Sequence, residues 1–441
     1  MGKMDDIVSL CKRRGFIFPG SDVYGGMAGT WDFGPLGVLL KRNVMNIWWK
    51  YWVDQRDDMY GVDAAIIMNP RTWEASGHVA TFADPLVECK ECHGRFRADK
   101  LVAGATESIT TDEFLAAKVK CPTCGKFNWG EIKKFNMMFQ THVGPVTDDS
   151  SIAYLRPETA QGIFTNFKNV VDTIYPNLPF GIAQQGKAFR NEISPRDFIL
   201  RDRECSQMEI EYFVHPDAWE EHFEKLRASQ HDFLENVIGL PAEFIHDYEV
   251  PAEDRAHYSK RTIDIMFDYP NGQEELMGLA YRTDFDLMNI QNASGKSMEY
   301  RDKVTGESFI PHVIEPSIGV ERLIMAVLSA AYREEELEGG DKRTVLALPE
   351  SLAPYKFCVS PLLKNKPELV AKAKEVYTLL KQKYNFVTWD DSGNIGKRYR
   401  KQDEIGTPKC VVVDFDSLEN DDVTVRDRDT TEQIRVKINE L

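Results

Sequence analysis

Between Phe189 and Phe213 the chain reads FRNEISPRDFILRDRECSQMEIEYF, and this stretch restricts the fold more than any other. Arg190, Asn191 and Glu192 close one alternating run. Ser194-Pro195-Arg196-Asp197 supplies turn chemistry, and Cys205 to Phe213 alternates again with Met208, Ile210 and Tyr212 apolar. The pattern predicts two antiparallel strands joined by a charged loop. Arg196, Arg201 and Arg203 crowd that loop, while Glu209 and Glu211 recur at a period of two and so share a face. Like charges on one face repel unless a cation sits among them. A salt-bridged solvent face is one reading. The other is a ligand site, because the planar arginine fork suits phosphate or carboxylate, and ATP or a nucleic-acid end would fit.

Arg190-x-Glu192, a loop, then Arg201-x-x-x-Cys205-x-x-x-Glu209 resembles motif 2 of the class II aminoacyl-tRNA synthetases. That family usually has Phe where Cys205 stands, and the Phe stacks on adenine.

The 441 residues allow two or three domains, and 42% hydrophobic with 28% charged is ordinary globular composition. No apolar run approaches the roughly 20 residues of a membrane span, which predicts a cytoplasmic protein without a membrane partner. A net charge of −16 argues against a DNA-coating protein. The charge is unevenly spread: residues 351–441 hold 16 Lys and Arg against 15 Asp and Glu, leaving 38 against 55 elsewhere. The C-terminal segment is therefore the expected polyanion contact.

Gly25 to Pro35 is too glycine-rich for a helix or strand interior and is expected to be a packing turn, since it lacks a phosphate-loop ending. From Val38 to Val53 apolar residues recur at three and four, predicting an amphipathic helix. Its Trp48, Trp49 and Trp52 exceed what one core face needs, so either a subunit interface or plain core would use them. A strand Val62–Met68 is expected next, ending at Asn69-Pro70. Helix, strand and proline together resemble motif 1, which implies a homodimer.

Cys89-x-x-Cys92 and Cys121-x-x-Cys124 are separated by 28 residues. Two such pairs suit one tetrahedral Zn²⁺, with Gly125 giving a knuckle turn, and four sulfurs leave no open position, so the metal would be structural. Disulfides or unrelated buried cysteines are the alternatives; a reducing compartment disfavours the first, and Cys11, Cys205, Cys358 and Cys410 show no such pairing.

Pro157 is expected to open a helix with Glu158 in its first turn. TWEASGHVATFADPL, YLRPETAQGIF and LPFGIAQQGKAFRNEI together resemble the homodimeric glycine–tRNA ligases. Residues 215–245 are expected to form an inserted helix pair, and 257–270 and 273–290 to bring alternating strands. Phe309 to Pro316 should be a strand. Ser317 to Arg322 would open the apolar helix LIMAVLSAAYREEELE, whose N-terminus suits a phosphate. This resembles motif 3. After residue 350, strand, helix, strand, helix, strand and two further strands predict a small α/β domain. It resembles the anticodon-binding domain of several class II synthetases. Lys397, Arg398, Arg400 and Lys401 cluster there on one helix and would contact tRNA phosphates; a solvated face is the plainer reading.

The expectation is an α+β chain: a class II antiparallel-sheet catalytic domain over 1–350, with a zinc-knuckle insertion at 86–130 and a helical insertion at about 215–258, then an anticodon-binding domain over 351–441. The resemblance implies ATP-dependent attachment of glycine to tRNA(Gly) through a glycyl adenylate. It implies Arg190, Glu192 and Arg322 as catalytic. ATP would be bound by Arg190, Asn191, Glu192, Leu200, Arg201, Asp202, Arg203, Glu204, Cys205, Glu275, Leu276, Gly319, Val320, Glu321 and Arg322, with Mg²⁺ at Glu275. Glycine would be bound by Arg97, Glu158, Cys205, Ser206, Gln207, Met208, Glu209, Arg282, Glu315, Pro316, Ser317, Ile318 and Gly319.

Overall fold

The computed structural model describes residues 2–106, 108–193, 195, 197–336 and 340–441. Its main sheet has seven strands: β1 Met59–Gly61, β2 Phe180–Phe189, β3 Glu204–Val214, β4 Ile245–Glu249, β5 Arg261–Tyr269, β6 Gly272–Thr283 and β7 His312–Gly319. They lie in the order β4-β5-β6-β7-β3-β2-β1, antiparallel throughout except for β1 beside β2. β2 and β3 are the expected strand pair, with Cys205 opposite Ala188 and Glu209 opposite Gln184. Ser194 and Arg196 of the connecting loop lie outside the described residues.

The alternation along β3 decides which face is buried and how. Met208, Ile210 and Tyr212 enter a core shared with helices α1 (Pro35–Trp49), α3 (Trp219–Asp232) and α4 (Val320–Ala331). On the opposite face Phe213 packs under helix α2 (Ala160–Ile174), its ring 4.6 Å from Phe167 and 5.1 Å from Phe180. Emptying such a core site, as in Phe213→Ala, costs about 3–5 kcal/mol. Because α2 covers only that end, Glu209, Gln207 and Cys205 are left to wall a cavity.

Several local expectations are corrected. The strand after α1 is Met59–Gly61; within 62–68 the pairing is reduced to Val62 N–H on Ala183 O at 2.9 Å and one bridge from Ile67 to Leu155. Residues 215–245 give one helix. α3 runs on through a π turn, Phe233–Val237, and ends near Gly239 at φ +84°, a left-handed conformation. Phe223, Leu226, Phe233 and Leu234 all reach the same core, the spacing of one helix face, and the chain then returns as edge strand β4. α4 stops at Ala331. Tyr332–Glu336 is instead a strand paired with Lys342–Leu346, which sets Glu335 opposite Arg343 and Glu336 opposite Lys342; cross-strand opposite charges are favourable. Pro157 and Glu158 precede their helix, which starts at Ala160.

Gly25–Pro35 is a packing turn. Trp31–Phe33 pairs with Ile17–Pro19, and Gly29, at φ +72°, accepts Arg203 N–H at 2.8 Å. A Cβ on Gly29 would lie 2.5 Å from Pro195 Cβ, so glycine permits the close approach to the β2–β3 loop. Of the three tryptophans, Trp48 and Trp52 are fully buried in the core while Trp49 is half-buried.

Residues 357–437 supply β8 Phe357–Pro361, β9 Val387–Trp389, β10 Lys409–Val413, β11 Asp422–Asp427 and β12 Gln433–Lys437, in the order β9-β8-β10-β11-β12. β8 is parallel to β9 and β10, and the rest are antiparallel. Helix α5 (Pro367–Lys383) presents Leu369, Ala373, Val376 and Leu380, one apolar stripe, to this sheet. Helix α6 spans Ile395–Ile405.

Candidate active site

One face of β3, the facing residues of β6 and β7, the start of α4 and a flap from residues 82–100 enclose a cavity of about 490 Å³. Of the expected site residues, Arg97, Glu158, Arg190, Glu192, Leu200, Arg201, Asp202, Cys205, Gln207, Glu209, Glu275, Leu276, Glu315, Ser317, Ile318, Gly319, Glu321 and Arg322 line it. Phe82, Asp84, Lys100, Met137, Ile199 and Tyr258 line it as well. The sequence reading missed those six because they sit on loops and short elements with no periodicity to mark them.

One end is acidic. Glu158, Glu209 and Glu315 are buried and converge, with Glu211 behind them. Burial, then Glu315 and Glu158, push Glu209 up to about 8, against the Thr159 hydroxyl that donates to it. Glu211 is driven further in the same direction by burial and by Glu315, and neither of its oxygens has a hydrogen-bond partner among the described residues. Glu158 goes the other way. Burial opposes its charge, but His78 Nε2 at 3.3 Å, Arg282 and Arg190 hold it down at about 2. The cluster thus carries fewer cations than carboxyls, an arrangement completed by an ammonium group.

Arg282 does not line the cavity. It lies behind it, donating twice to Asp286 at 2.8 and 2.9 Å and once to Glu315, with its guanidinium 3.8 Å above the Tyr258 ring. Arg282 therefore aims Glu315 from below.

The other half of the cavity holds Arg190, Arg201 and Arg322 beside the carboxyls of Glu192, Asp202, Glu275 and Glu321. Arg190 donates Nε to Pro157 O at 3.0 Å and stands 5.7 Å over the Phe82 ring. Arg322 donates to the backbone and side-chain oxygens of Glu275 at 2.7 and 3.0 Å. Fixed positive groups in a partly enclosed cleft suit phosphate.

Seven other expected residues stand outside the lining. Met208 faces the apolar core, which the period-two alternation dictates. Arg203 braces the loop, donating to Glu192 O at 3.0 Å and Ala28 O at 2.8 Å. Asn191 N–H binds Met137 O at 2.7 Å, and Glu204 is exposed, paired with Lys187 at 2.8 Å. Ser206 is buried against Lys41 and Glu321. Pro316 and Val320 are buried within β7 and at the start of α4.

The four paired cysteines come together in a small subdomain built on Ala83–Glu88, Arg95–Arg97 and Lys133–Asn136. Their sulfurs lie within 4.8 Å of one another, with Cys89 to Cys124 at 3.7 Å and Cys92 to Cys121 at 3.6 Å. A tetrahedral zinc at about 2.3 Å from each sulfur requires about 3.8 Å between sulfurs. The donor set fits Zn²⁺.

On α6 the basic cluster divides. Lys397, Arg400 and Lys401 are exposed, the last two paired with Asp341 and Asp390 at 3.1 and 3.0 Å. Arg398 is 3% exposed and its guanidinium is used on the carbonyls of Pro361, Asp391, Ser392 and Gly393. It cannot reach a phosphate from there, which removes it from the expected tRNA contacts.

Residues 143–331 match the model of the class II tRNA synthetase core domain (G, H, P, S and T), and 356–441 match the anticodon binding domain. Glycine–tRNA ligase of Clostridium kluyveri is 50% identical over 99% of this chain and 96% of that protein. The one from Malacoplasma penetrans is 49% identical over the same shares. Among solved structures, prolyl-tRNA synthetase from Cryptosporidium parvum with L-proline and AMP aligns at a TM-score of 0.67 and 14% identity, over 100% of this chain and 75% of that one. This last likeness concerns the fold alone.

Proposed function

We infer how the cavity works from one premise: the chain belongs to the glycine–tRNA ligase family of class II synthetases, and it attaches glycine to tRNA at the expense of ATP through a glycyl adenylate. The observation that carries the assignment of roles is the division of a single cavity into an acidic end and an arginine end.

Glycine's ammonium takes the place among Glu158, Glu209 and Glu315, where the missing cation belongs, and Ser317, opposite Glu209 on β7, lies beside it. Its carboxylate then points to Arg190. Arg190 also holds the α-phosphate, so nucleophile and electrophile meet on one guanidinium, while Arg322 and Arg201 hold the outer phosphates. The first step is an in-line displacement in which a glycine carboxylate oxygen bonds to the α-phosphorus and pyrophosphate leaves. In the second, the terminal ribose hydroxyl of tRNA attacks the adenylate carbonyl and AMP leaves. Neither needs a protein nucleophile; catalysis comes from preorganised charge. Magnesium enters with ATP as part of the substrate, and Glu275 is its assigned carboxylate. A structural Zn²⁺ belongs to Cys89, Cys92, Cys121 and Cys124. Glycine offers no side chain to grasp. A methyl adds only about 1–3 kcal/mol of attractive discrimination, so alanine is rejected by the packed wall behind the ammonium.

The enzyme acts as a cytoplasmic homodimer, with α1 and its half-buried Trp49 at the interface; among the described residues no helix is long and apolar enough to cross a membrane. ATP–pyrophosphate exchange with each amino acid in turn tests the assignment. Glycine alone is expected to support exchange. Comparable exchange with alanine or serine would overturn the reading of the acidic end.

A further inference from the structure

The four-cysteine subdomain is charged against the trend of the chain. Between Phe114 and Val146 stand Lys118, Lys120, Lys126, Lys133 and Lys134, with Glu131 the one carboxylate among them, in a protein whose net charge is −16. All five lysines are exposed, and none has an ion-pair partner among the described residues. Other surface lysines are neutralised: Lys168, Lys225 and Lys372 meet Asp172, Glu221 and Asp421 at 2.7, 2.5 and 2.7 Å. Phe127, beside Lys126, is 48% exposed. Unpaired cations around a bare aromatic ring suit a nucleic acid, whose phosphates take the charge while a base stacks on the ring.

The fold gathers these residues and ends them at the active site. Cys121 N–H donates to Lys126 O at 2.9 Å, which closes the turn carrying Lys120 and Lys126, and Trp129 Nε1 donates to Val119 O at 2.8 Å, between Lys118 and Lys120. Lys133 and Lys134 open the strand Lys133–Asn136, one on each face, and Met137 after it lines the cavity. From Lys134 to Met137 is three residues, about 10 Å. Asp84, Arg97 and Lys100 of the same subdomain line the cavity too. The terminal ribose of tRNA has to reach the adenylate inside, so the nucleotides before it pass over a rim. At physiological salt a charge acts over about 8 Å, so nearby lysines outweigh the acidity of the remainder.

We propose that this subdomain binds RNA: its lysines hold backbone phosphates of the tRNA acceptor arm while the end of the arm occupies the cavity, and Phe127 stacks on a base. The surface is separate from α6 on the anticodon-binding segment. The proposal rests on the reading of the cavity as the place where glycine is activated.

An RNA hairpin with the acceptor stem and 3′ end of tRNA(Gly), and no anticodon arm, tests it by binding at several salt concentrations. Replacing the five lysines with Gln should weaken binding about tenfold or more and flatten the log–log slope by about 0.7 to 0.9 for each lysine that meets a phosphate, more than about one unit in all. Five arginines should restore both, which a damaged fold would not allow. Phe127→Ala should weaken binding about fivefold or more and keep the slope. Glycine-dependent pyrophosphate exchange without RNA should be unchanged in every variant, and Gln at Lys397, Arg400 and Lys401 should leave hairpin binding alone. An unchanged slope in the five-Gln variant overturns the proposal, as does a slope that arginine fails to restore, or hairpin binding that depends on α6 instead. Unaltered binding in Phe127→Ala overturns the stacking contact. If the unmutated enzyme makes no glycyl-tRNA from glycine and ATP, the reading of the cavity fails; if it does and the slope stays, only the RNA surface fails.

Discussion

Arg343 and Asp403, 60 residues apart, meet at 2.9 Å through Nε and Oδ2. The contact ties the strand Lys342–Leu346 to helix α6, and Arg426 of β11 closes on the same carboxylate at 2.8 and 3.1 Å. All three are buried, Asp403 at 1% exposure. Arg14 of the N-terminal helix holds the neighbouring Glu404 at 2.5 Å. The segment that carries the anticodon-binding match is therefore joined to the synthetase core through a buried charge cluster. Asp403→Ala strands the Arg426 guanidinium without an acceptor and leaves Arg343 only Glu335 and the Arg428 carbonyl, and breaking a buried pair this way costs about 3–5 kcal/mol. Denaturant unfolding should show that loss, and proteolysis should cut first near residue 350. An unchanged midpoint would mean the arginines find other partners.

Arg322→Ala and Arg190→Ala remove the positive groups that the proposed mechanism assigns to the phosphates. Each should cost about 2.7–4 kcal/mol of transition-state stabilisation, a loss of 10²–10³ in glycine-dependent pyrophosphate exchange, with the melting temperature nearly kept. Arg322 also frees Glu275 when removed, so its variant should respond more to added Mg²⁺.

Much of this arrangement was legible in the sequence because period-two alternation assigns faces without ambiguity: Glu209 to the cavity and Met208 to the core follow from the same strand. The cysteine pairs and the C-terminal alternation were equally plain. What escaped was set by tertiary packing. α3 looked like two helices because helical spacing continues past Asp232, and only the shared core shows Phe233 and Leu234 extending one face. Arg398 looked like its neighbours, yet the carbonyl-rich loop at 391–393 turns it inward. His78 and Tyr258, which aim or stack on the site's charges, sit on a four-residue helix and in a turn, both too short to show a pattern.

Glu209 gives the acidic end a pH signature. Its folded value of about 8 lies above the ordinary 4.5, so the folded state keeps a proton that the unfolded chain loses. Its contribution to stability is therefore full below about 4.5 and is lost as pH rises through about 8. Glu209→Gln should become progressively more stable than the unmutated protein across that window. An ammonium ligand favours the ionised carboxylate, so glycine binding should release protons near pH 7. Calorimetry in buffers of different ionisation enthalpy would detect the release, and its persistence in Glu209→Gln would assign it elsewhere.

The four-cysteine subdomain also carries part of the cavity wall, since Asp84 and Arg97 sit on its strands and line the site. Purified protein should hold one zinc per chain. Chelation, or Cys121→Ser, should release it and raise KM for glycine as well as loosening residues 83–136, because the flap loses its fixed geometry. Metal-free protein with normal glycine activation would separate the cysteines from the active site.

The charge on α6 makes the last prediction, and the buried Arg398 sharpens it. Lys397, Arg400 and Lys401 are exposed on a segment whose charge is nearly balanced within an acidic protein. Their pairs with Asp341 and Asp390 are solvent-accessible on the cationic side and are exchanged for phosphate at little cost. Replacing all three with Gln should weaken tRNA binding and flatten its salt dependence by about 0.7 to 0.9 of a log–log unit per lost contact, roughly 2.1 to 2.7 units in all. Glycine-dependent pyrophosphate exchange without tRNA should not change. Arg398→Gln should behave differently: it empties donors from four carbonyls, so it should lower thermal stability and leave the salt slope almost intact. If the triple variant keeps its slope, the helix face is only solvated and tRNA lies on another surface of the domain.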